Sequence, residues 1–362
     1  MHSVTAADVA DLARGAAVLG SGGGGNPYMG QLMAEHALAE HGPVTVLGLE
    51  EVPASSRVVA VMVMGTPTVF YEKMLAGDEM LRAVRAVSRA AGQAPTHLMP
   101  GEIGGVNATI PLVPAAESGL SLVDGDFMGR AFPELSMLLP ALAGLSLAPL
   151  ALTDEKGNVL VLEATDMDWG ERIARVCSVA MGGTAVVAYA PLSPGQLRGA
   201  MAHGTVGRAQ ALGKAIRLAR EDRRDPVEAA RRALSGVTVF RGKVVDVDGR
   251  PGGGFLWGRA VVEGTGPDTG TELVVRFQNE YLLATRGGRA LVTTPDLICV
   301  LEEEGAQPVP ADALRYGLRV AVVGAPCDEA WRSPQGLEIT GPGHFGYDHP
   351  YAPLTAPGPA DR

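Results

Sequence analysis

Apolar residues at positions 9, 12, 13, 16 and 19 recur at helical spacing and predict a helix over Thr5–Leu19, opened by Thr5 as its cap. A glycine-rich break follows, and Pro27 then predicts the first turn of a second helix reaching about Glu40. The period changes next. VTVLGLE (44–50) and RVVAVMVMG (57–65) are nearly continuous apolar runs rich in β-branched residues, the texture of strands buried on both faces. Glu72–Ala91 returns to a helical pattern, and THLMPGEIGG (96–105) predicts a strand running into a loop. Residues 120–165 hold the loop LVDGDFMGRAFPEL and a hairpin-like pair turning at Asp154–Asn158. A helix over Asp168–Ala180, a strand over 184–192 and a helical region over 193–235 complete this part. The alternation predicts an α/β sandwich with a mainly parallel sheet. From Val237 onward, short strands separated by Gly, Asp and Pro turns predict a β-rich C-terminal domain. The expected division is 1–235 and 236–362, although a junction near 166 also fits the pattern.

Composition narrows the function. The 362 residues are 46% apolar, enough for a substantial core and for a buried interface, and a homo-oligomer is expected. A net charge of −10 argues against a general nucleic-acid or membrane-surface role. Cys177, Cys299 and Cys327 lack metal spacing and suit a reduced, cytoplasmic compartment. The opening MHSVTAADVADLARG is neither signal peptide nor anchor, and no apolar run approaches membrane-spanning length.

Four clusters carry candidate chemistry. SGGGGNP (21–27) formally contains G-x-G-x-x-G at Gly20, Gly22 and Gly25, but the residues before it are helical rather than strand-like. It also lacks the lysine of a P-loop. No nicotinamide or flavin is expected. The preferred reading is a nest of N–H groups from Gly22, Gly23, Gly24 and Gly25, with Asn26, holding an anion or anionic intermediate at a helix N-terminus. The plain alternative is a tight turn for close packing. PGEIGGVN (100–107) places Glu102 and Asn107 at the carboxyl edge of a sheet, as general base or metal ligand and as donor to developing charge. A solvated Glu and a capping Asn are the alternative.

DGDFMGRAFPE (124–134) offers Asp126 as acid–base group or metal ligand and Arg130 as a bidentate clamp for a carboxylate, with Asp124 and Glu134 beside them. A turn with an exposed Arg–Glu pair is the bland reading. FQNEY (277–281) and TTPDLIC (293–299) place Asn279, Glu280 and Asp296 at strand ends, where a buried acid needs an arginine or a metal ion as partner. His344 and His349, five apart in GPGHFGYDHPYAP, suit a surface turn better than a metal site. Neither a G-x-S-x-G elbow nor a Cys/His signature is present, which argues against an acyl-enzyme.

Taken together, VLGSGGGGNPYMG, PGEIGGVN, DGDFMGRAFPEL, FQNEY, TTPDLICVLEEEG, LRYGLRVAVVGAP and GPGHFGYDHPYAP resemble the DUF917 family, also described as S-methyl thiohydantoin desulfurases. Asn26 and Ile103 stand where that family often has Asp and Val. The resemblance implies an N-terminal family domain over about 1–165. It also implies hydrolytic removal of sulfur from a thiohydantoin-type ring, leaving a hydantoin, or alternatively a non-catalytic partner of a hydantoinase or oxoprolinase-type ATPase. On the desulfurase reading Glu102 or Asp126 activates water, on a divalent metal such as zinc held by Glu102, Asp126 and Glu280. The glycine amides and Asn107 stabilise the tetrahedral centre, and Arg130 binds an acidic substituent.

Overall fold

The computed structural model describes residues 1–65, 69, 73 and 75–354. The chain opens with strand β1 (His2–Val4) and helix α1 (Ala6–Leu19), whose capping box pairs Thr5 with Asp8. Helix α2 (Pro27–His41) is capped by Asn26, and β2 (Val44–Leu47) and β3 (Val58–Gly65) follow. Helix α3 spans Glu79–Ala91; its expected start at Glu72 lies outside the described residues. Next come β4 (His97–Pro100), α4 (Leu112–Ser118), β5 (Ser121–Val123), the short β6 (Gly125–Asp126) and α5 (Leu139–Leu142). The hairpin β7 (Leu150–Thr153) and β8 (Val159–Leu162) turns where Asp154 binds Asn158. Helix α6 (Met167–Ala180), β9 (Thr184–Tyr189), α7 (Pro194–Leu197), β10 (Ala202–His203), α8 (Thr205–Glu221) and α9 (Pro226–Ala233) end the α/β part.

All further strands belong to one antiparallel sheet: β11 (Val237–Gly252), β12 (Phe255–Gly264), β13 (Glu272–Gln278), β14 (Glu280–Arg286), β15 (Arg289–Thr293), β16 (Leu297–Glu302) and β17 (Arg319–Ala325). Its order is β15-β14-β13-β12-β11-β17-β16, and α10 (Pro334–Thr340) closes the element list. The fold class is therefore α/β followed by β-rich. Among the described residues no helix is long and apolar enough to cross a membrane.

The first sheet runs β1-β2-β5-β4-β3-β9-β7-β8. It is mixed: β2, β5, β4 and β3 are mutually parallel, and antiparallel strands flank them. The continuous apolar run of β3 sits in the middle and is buried on both faces. Parallel β3 and β4 deliver their carboxyl ends, Met64–Gly65 and Gly101–Glu102, to the same edge, where such sheets bind ligands.

The glycine loop joins the two sheets. Ser21 Oγ donates to the carbonyl of Ile298 and accepts from its N–H, both at 2.8 Å. Tyr281 N–H donates to Ser21 O at 2.7 Å, and Ala311 N–H donates to Gly22 O at 2.9 Å. Much of SGGGGNP thus threads between α1 and the second sheet as a packing element.

Candidate active site

Six chain segments meet around one small cleft. They are Gly24–Gly25, the end of β3 from Met62 to Gly65, the loop after β4 with Glu102 and Asn107, residues 132–135, Arg175 of α6, and Asn279–Glu280 between β13 and β14. Both sheets therefore contribute, and the carboxyl groups of Glu102 and Glu280 arrive from opposite sides of the domain junction.

Glu102 is 3% exposed. Its Oε1 accepts from Asn107 Nδ2 at 2.9 Å. Asn107 is held in turn by Val63, whose N–H donates to Asn107 Oδ1 at 2.7 Å. Asn107 therefore spends its amide on tying Glu102 to β3, rather than aiming it at open space. Burial pushes the Glu102 carboxyl well above its ordinary range, and the nearby charges of Glu280 and Asp126 push the same way.

Glu280 is equally buried. It follows Asn279, the single residue between β13 and β14, which adopts φ 58. Asparagine is among the few residues that tolerate this left-handed backbone. Asn279 is fastened by its own N–H to Leu256 O and by Leu256 N–H to its Oδ1, both at 2.8 Å. Burial raises the Glu280 carboxyl to about 8, against the downward pull of Arg130, Arg175 and the Gly24 N–H. Its Oε2 is buried without a hydrogen-bond partner.

The glycines fit around this carboxyl. A Cβ on Gly23 would lie 1.7 Å from Glu280 Oε1. Gly24 has φ +81, and a Cβ there would lie 2.5 Å from the carbonyl carbon of Gly104. Gly22 packs on the ring of Tyr281. Of the four glycines, Gly24 and Gly25 line the cleft, while Gly22 and Gly23 stand behind it.

Three other expected site residues are placed elsewhere. Asp126 is fully buried, and its oxygens accept from the N–H groups of Ile103, Met128 and Gly129 at 2.9 to 3.1 Å. It organises the loops on either side of Glu102 and is not part of the cleft wall. Burial still raises it to about 7 against those donors. Arg130, also fully buried, gives its guanidinium to the carbonyls of Ala131, Pro295, Asp296 and Tyr281 and stacks on Phe132. It is a brace between the sheets, not a clamp exposed to substrate. Asn26 caps α2 through Tyr28 N–H at 3.0 Å and does not line the cleft.

Asp296 finds its partner in Arg332 at 3.1 Å, and it also accepts from Cys327 N–H, Tyr351 and Leu354 N–H, which anchors the C-terminal segment. His344 pairs with Glu134, a cleft residue, at 3.6 Å. Among the described residues no group of three or more His, Cys, Asp or Glu side chains is placed to hold a metal ion. With Asp126 turned into its own cage of N–H donors, the set Glu102, Asp126 and Glu280 does not fit the expected zinc site.

Residue types did not signal Arg175. Its Nε donates to Glu171 at 2.7 Å, its Nη2 donates to Pro133 O at 3.0 Å, and its guanidinium stacks on Phe255. An arginine on a helix with charged neighbours carries no sequence mark of a cleft. The wall of Met62, Met64, Phe132 and Leu135 likewise reads as ordinary core until both sheets are assembled.

A crystal structure of a protein from Chromobacterium violaceum is similar, with a TM-score of 0.81 and 26% identity over 98% of this chain and all of that one. No curated protein matches the chain. The model of the S-Me-THD-like N-terminal domain matches residues 7–164, and that of the S-Me-THD-like C-terminal domain matches 165–354. With both domain types present in order, the chain belongs to the S-Me-THD-like family.

Proposed function

We propose that this protein is an enzyme that hydrolyses a thiohydantoin-type ring at its sulfur-bearing carbon, using Glu102 and Glu280 as an acid–base pair. The family supports the substrate class. The observation that carries the mechanism is the pair of buried carboxyls lining one cleft, with Arg130 and Arg175 drawing Glu280 toward its ionised form. Arg130 and Arg175 favour ionisation of Glu280, whereas the charges that act most on Glu102 are the acids Glu280 and Asp126, which disfavour its ionisation. In the active form the proton rests on Glu102 while ionised Glu280 supplies the base.

Water adds to the ring carbon of a thiohydantoin as Glu280 takes one of its protons, and Glu102 gives its proton to the sulfur. The tetrahedral centre then carries a hydroxyl and a protonated sulfur. Its C–S bond breaks, the hydroxyl proton returns to Glu102, sulfur leaves as hydrosulfide, and Glu280 releases its proton to solvent. In an S-methyl substrate water adds across C=N, so Glu102 protonates the ring nitrogen instead. The hydroxyl proton returns to Glu102 as the C–S bond breaks, and the thiolate leaves as methanethiol with the proton that Glu280 took from water. In both cases the carbon ends as the hydantoin carbonyl. The apolar wall of Met62, Met64 and Phe132 suits a flat, sulfur-bearing ring.

Sulfide and methanethiol release from thiohydantoin and its S-methyl derivative tests the reading with Glu102→Gln and Glu280→Gln. Each substitution should lower kcat on the order of 100-fold or more. Full activity in both variants removes the mechanism, and tight binding of unconsumed substrate by the unaltered protein removes the hydrolase reading.

A further inference from the structure

Two buried oxygens without hydrogen-bond partners come from the same hairpin: Glu280 Oε2 and Gln278 Oε1. Gln278 and Glu280 are register partners across the one-residue turn at Asn279. Cross-strand partners put their Cβ atoms roughly 5 Å apart on one face of a sheet. The next pair along, Phe277 and Tyr281, makes that contact, with ring centroids 6.3 Å apart. Gln278 is 2% exposed and Glu280 3%, so bulk water satisfies neither oxygen. Two buried acceptors at paired positions of one hairpin, neither with a donor, are costly. A single proton on the carboxyl turns that defect into a hydrogen bond.

We propose that Gln278 is a positioning residue for Glu280: its Oε1 accepts the proton that Glu280 carries on Oε2, and so orients the carboxyl between Gln278 and the glycine loop. This rests on the acid–base reading of Glu280 and adds the partner that holds its protonated form between turnovers. The other groups facing Glu280 are Arg130 and Arg175, the Glu102 carboxyl and the Gly24 N–H. The two arginines and the N–H favour the ionised form, whereas Gln278 Oε1 favours the acid form.

Gln278→Met keeps the side-chain length and removes the acceptor. Its expected signature is a downward shift of about one unit in the ascending limb of the pH–rate profile, with KM little changed. An unmoved limb overturns the proposal. So does an upward shift, which would mean that the amide is turned round and donates to the carboxylate.

Infrared difference spectra separate this inference from the catalytic reading, because they need no turnover. The unaltered protein at neutral pH should show a protonated-carboxyl band that Glu280→Gln abolishes and Gln278→Met moves to higher frequency. Absence of the band in the unaltered protein overturns the proposal even if Gln278→Met fails to fold. If the bands behave as expected but Glu280→Gln turns over normally, the hydrogen bond stands and the catalytic role of Glu280 falls.

Discussion

Gly23 and Glu280 share one space: a Cβ on Gly23 would lie 1.7 Å from Glu280 Oε1, although Gly23 lies in the loop between α1 and α2 and Glu280 opens β14 of the second sheet. A methyl group there must displace the carboxyl. Gly23→Ala should therefore cost about 1–3 kcal/mol of stability and lower sulfide release roughly as much as loss of Glu280 itself. In a Glu280→Ala background the stability cost should largely vanish, and a double-mutant cycle by urea unfolding measures this. Additive costs would show that the contact is not what excludes a side chain at Gly23.

Glu280 titrates at about 8 in the folded chain, against 4.5 for an ordinary glutamate, because burial disfavours its charged form. The folded state holds this proton more tightly than the unfolded chain does. Its contribution to stability is complete below about pH 4.5 and is lost as the pH rises to about 8. Glu280→Gln has no proton to lose. Relative to the unaltered protein, the variant should gain on the order of 4 kcal/mol between acidic conditions and pH 8, read from urea midpoints across that range.

The rate should follow the same group in the opposite sense. Sulfide release requires ionised Glu280 and protonated Glu102, so kcat/KM should climb as pH passes through about 8, and loss of the Glu102 proton sets the descending limb. Glu102→Gln should remove the descending limb. A rate that does not rise through about pH 8 would contradict the assignment of Glu280.

Asn107 acts through Glu102. Asn107→Leu deletes the 2.9 Å contact to Glu102 Oε1 and leaves the Val63 N–H without its acceptor. The expected loss is about 1–3 kcal/mol of stability, with kcat reduced on the order of tenfold or more. Asn107→Asp keeps the acceptor for Val63 but faces Glu102 with a second acid, so it should fold better than Asn107→Leu and still turn over slowly. Equal kcat in all three proteins would leave Asn107 a purely structural role.

Arg130 separates bracing from binding. Arg130→Met leaves the carbonyls of Pro295, Asp296 and Tyr281 without their donor inside the protein. A loss of about 3–5 kcal/mol and a clear fall in Tm are expected. A side chain that only clamped substrate would instead raise KM and leave Tm unchanged.

Local order is legible from the chain. The 3.6-residue stripe of α1 and the unbroken apolar run of β3 state their conformations without help from distant residues, because periodicity and β-branching act over a few neighbours. The hairpin at Asp154–Asn158 is equally local. Candidate chemistry was legible as residue type, since PGEIGGVN and FQNEY each present an acid beside residues suited to tight turns. The direction in which each acid points was not legible. Asp126 and Glu280 look alike in sequence, yet one is enclosed by three N–H donors and the other keeps an orphan oxygen beside a cleft. Arg130 looks like a clamp until the carbonyls that occupy it arrive from segments more than 150 residues away.

By itself, then, the sequence determined the elements, the order of α/β and β-rich halves, and the glycines without which two sheets could not approach so closely. Tertiary structure decided which carboxyls face each other, which arginine braces and which lines the cleft, and whether an amide meets a ligand or its own chain. Helical and strand periods follow from backbone geometry within a few residues. The charge and hydration of a side chain depend on everything packed around it, and at this cleft those neighbours come from both ends of the chain.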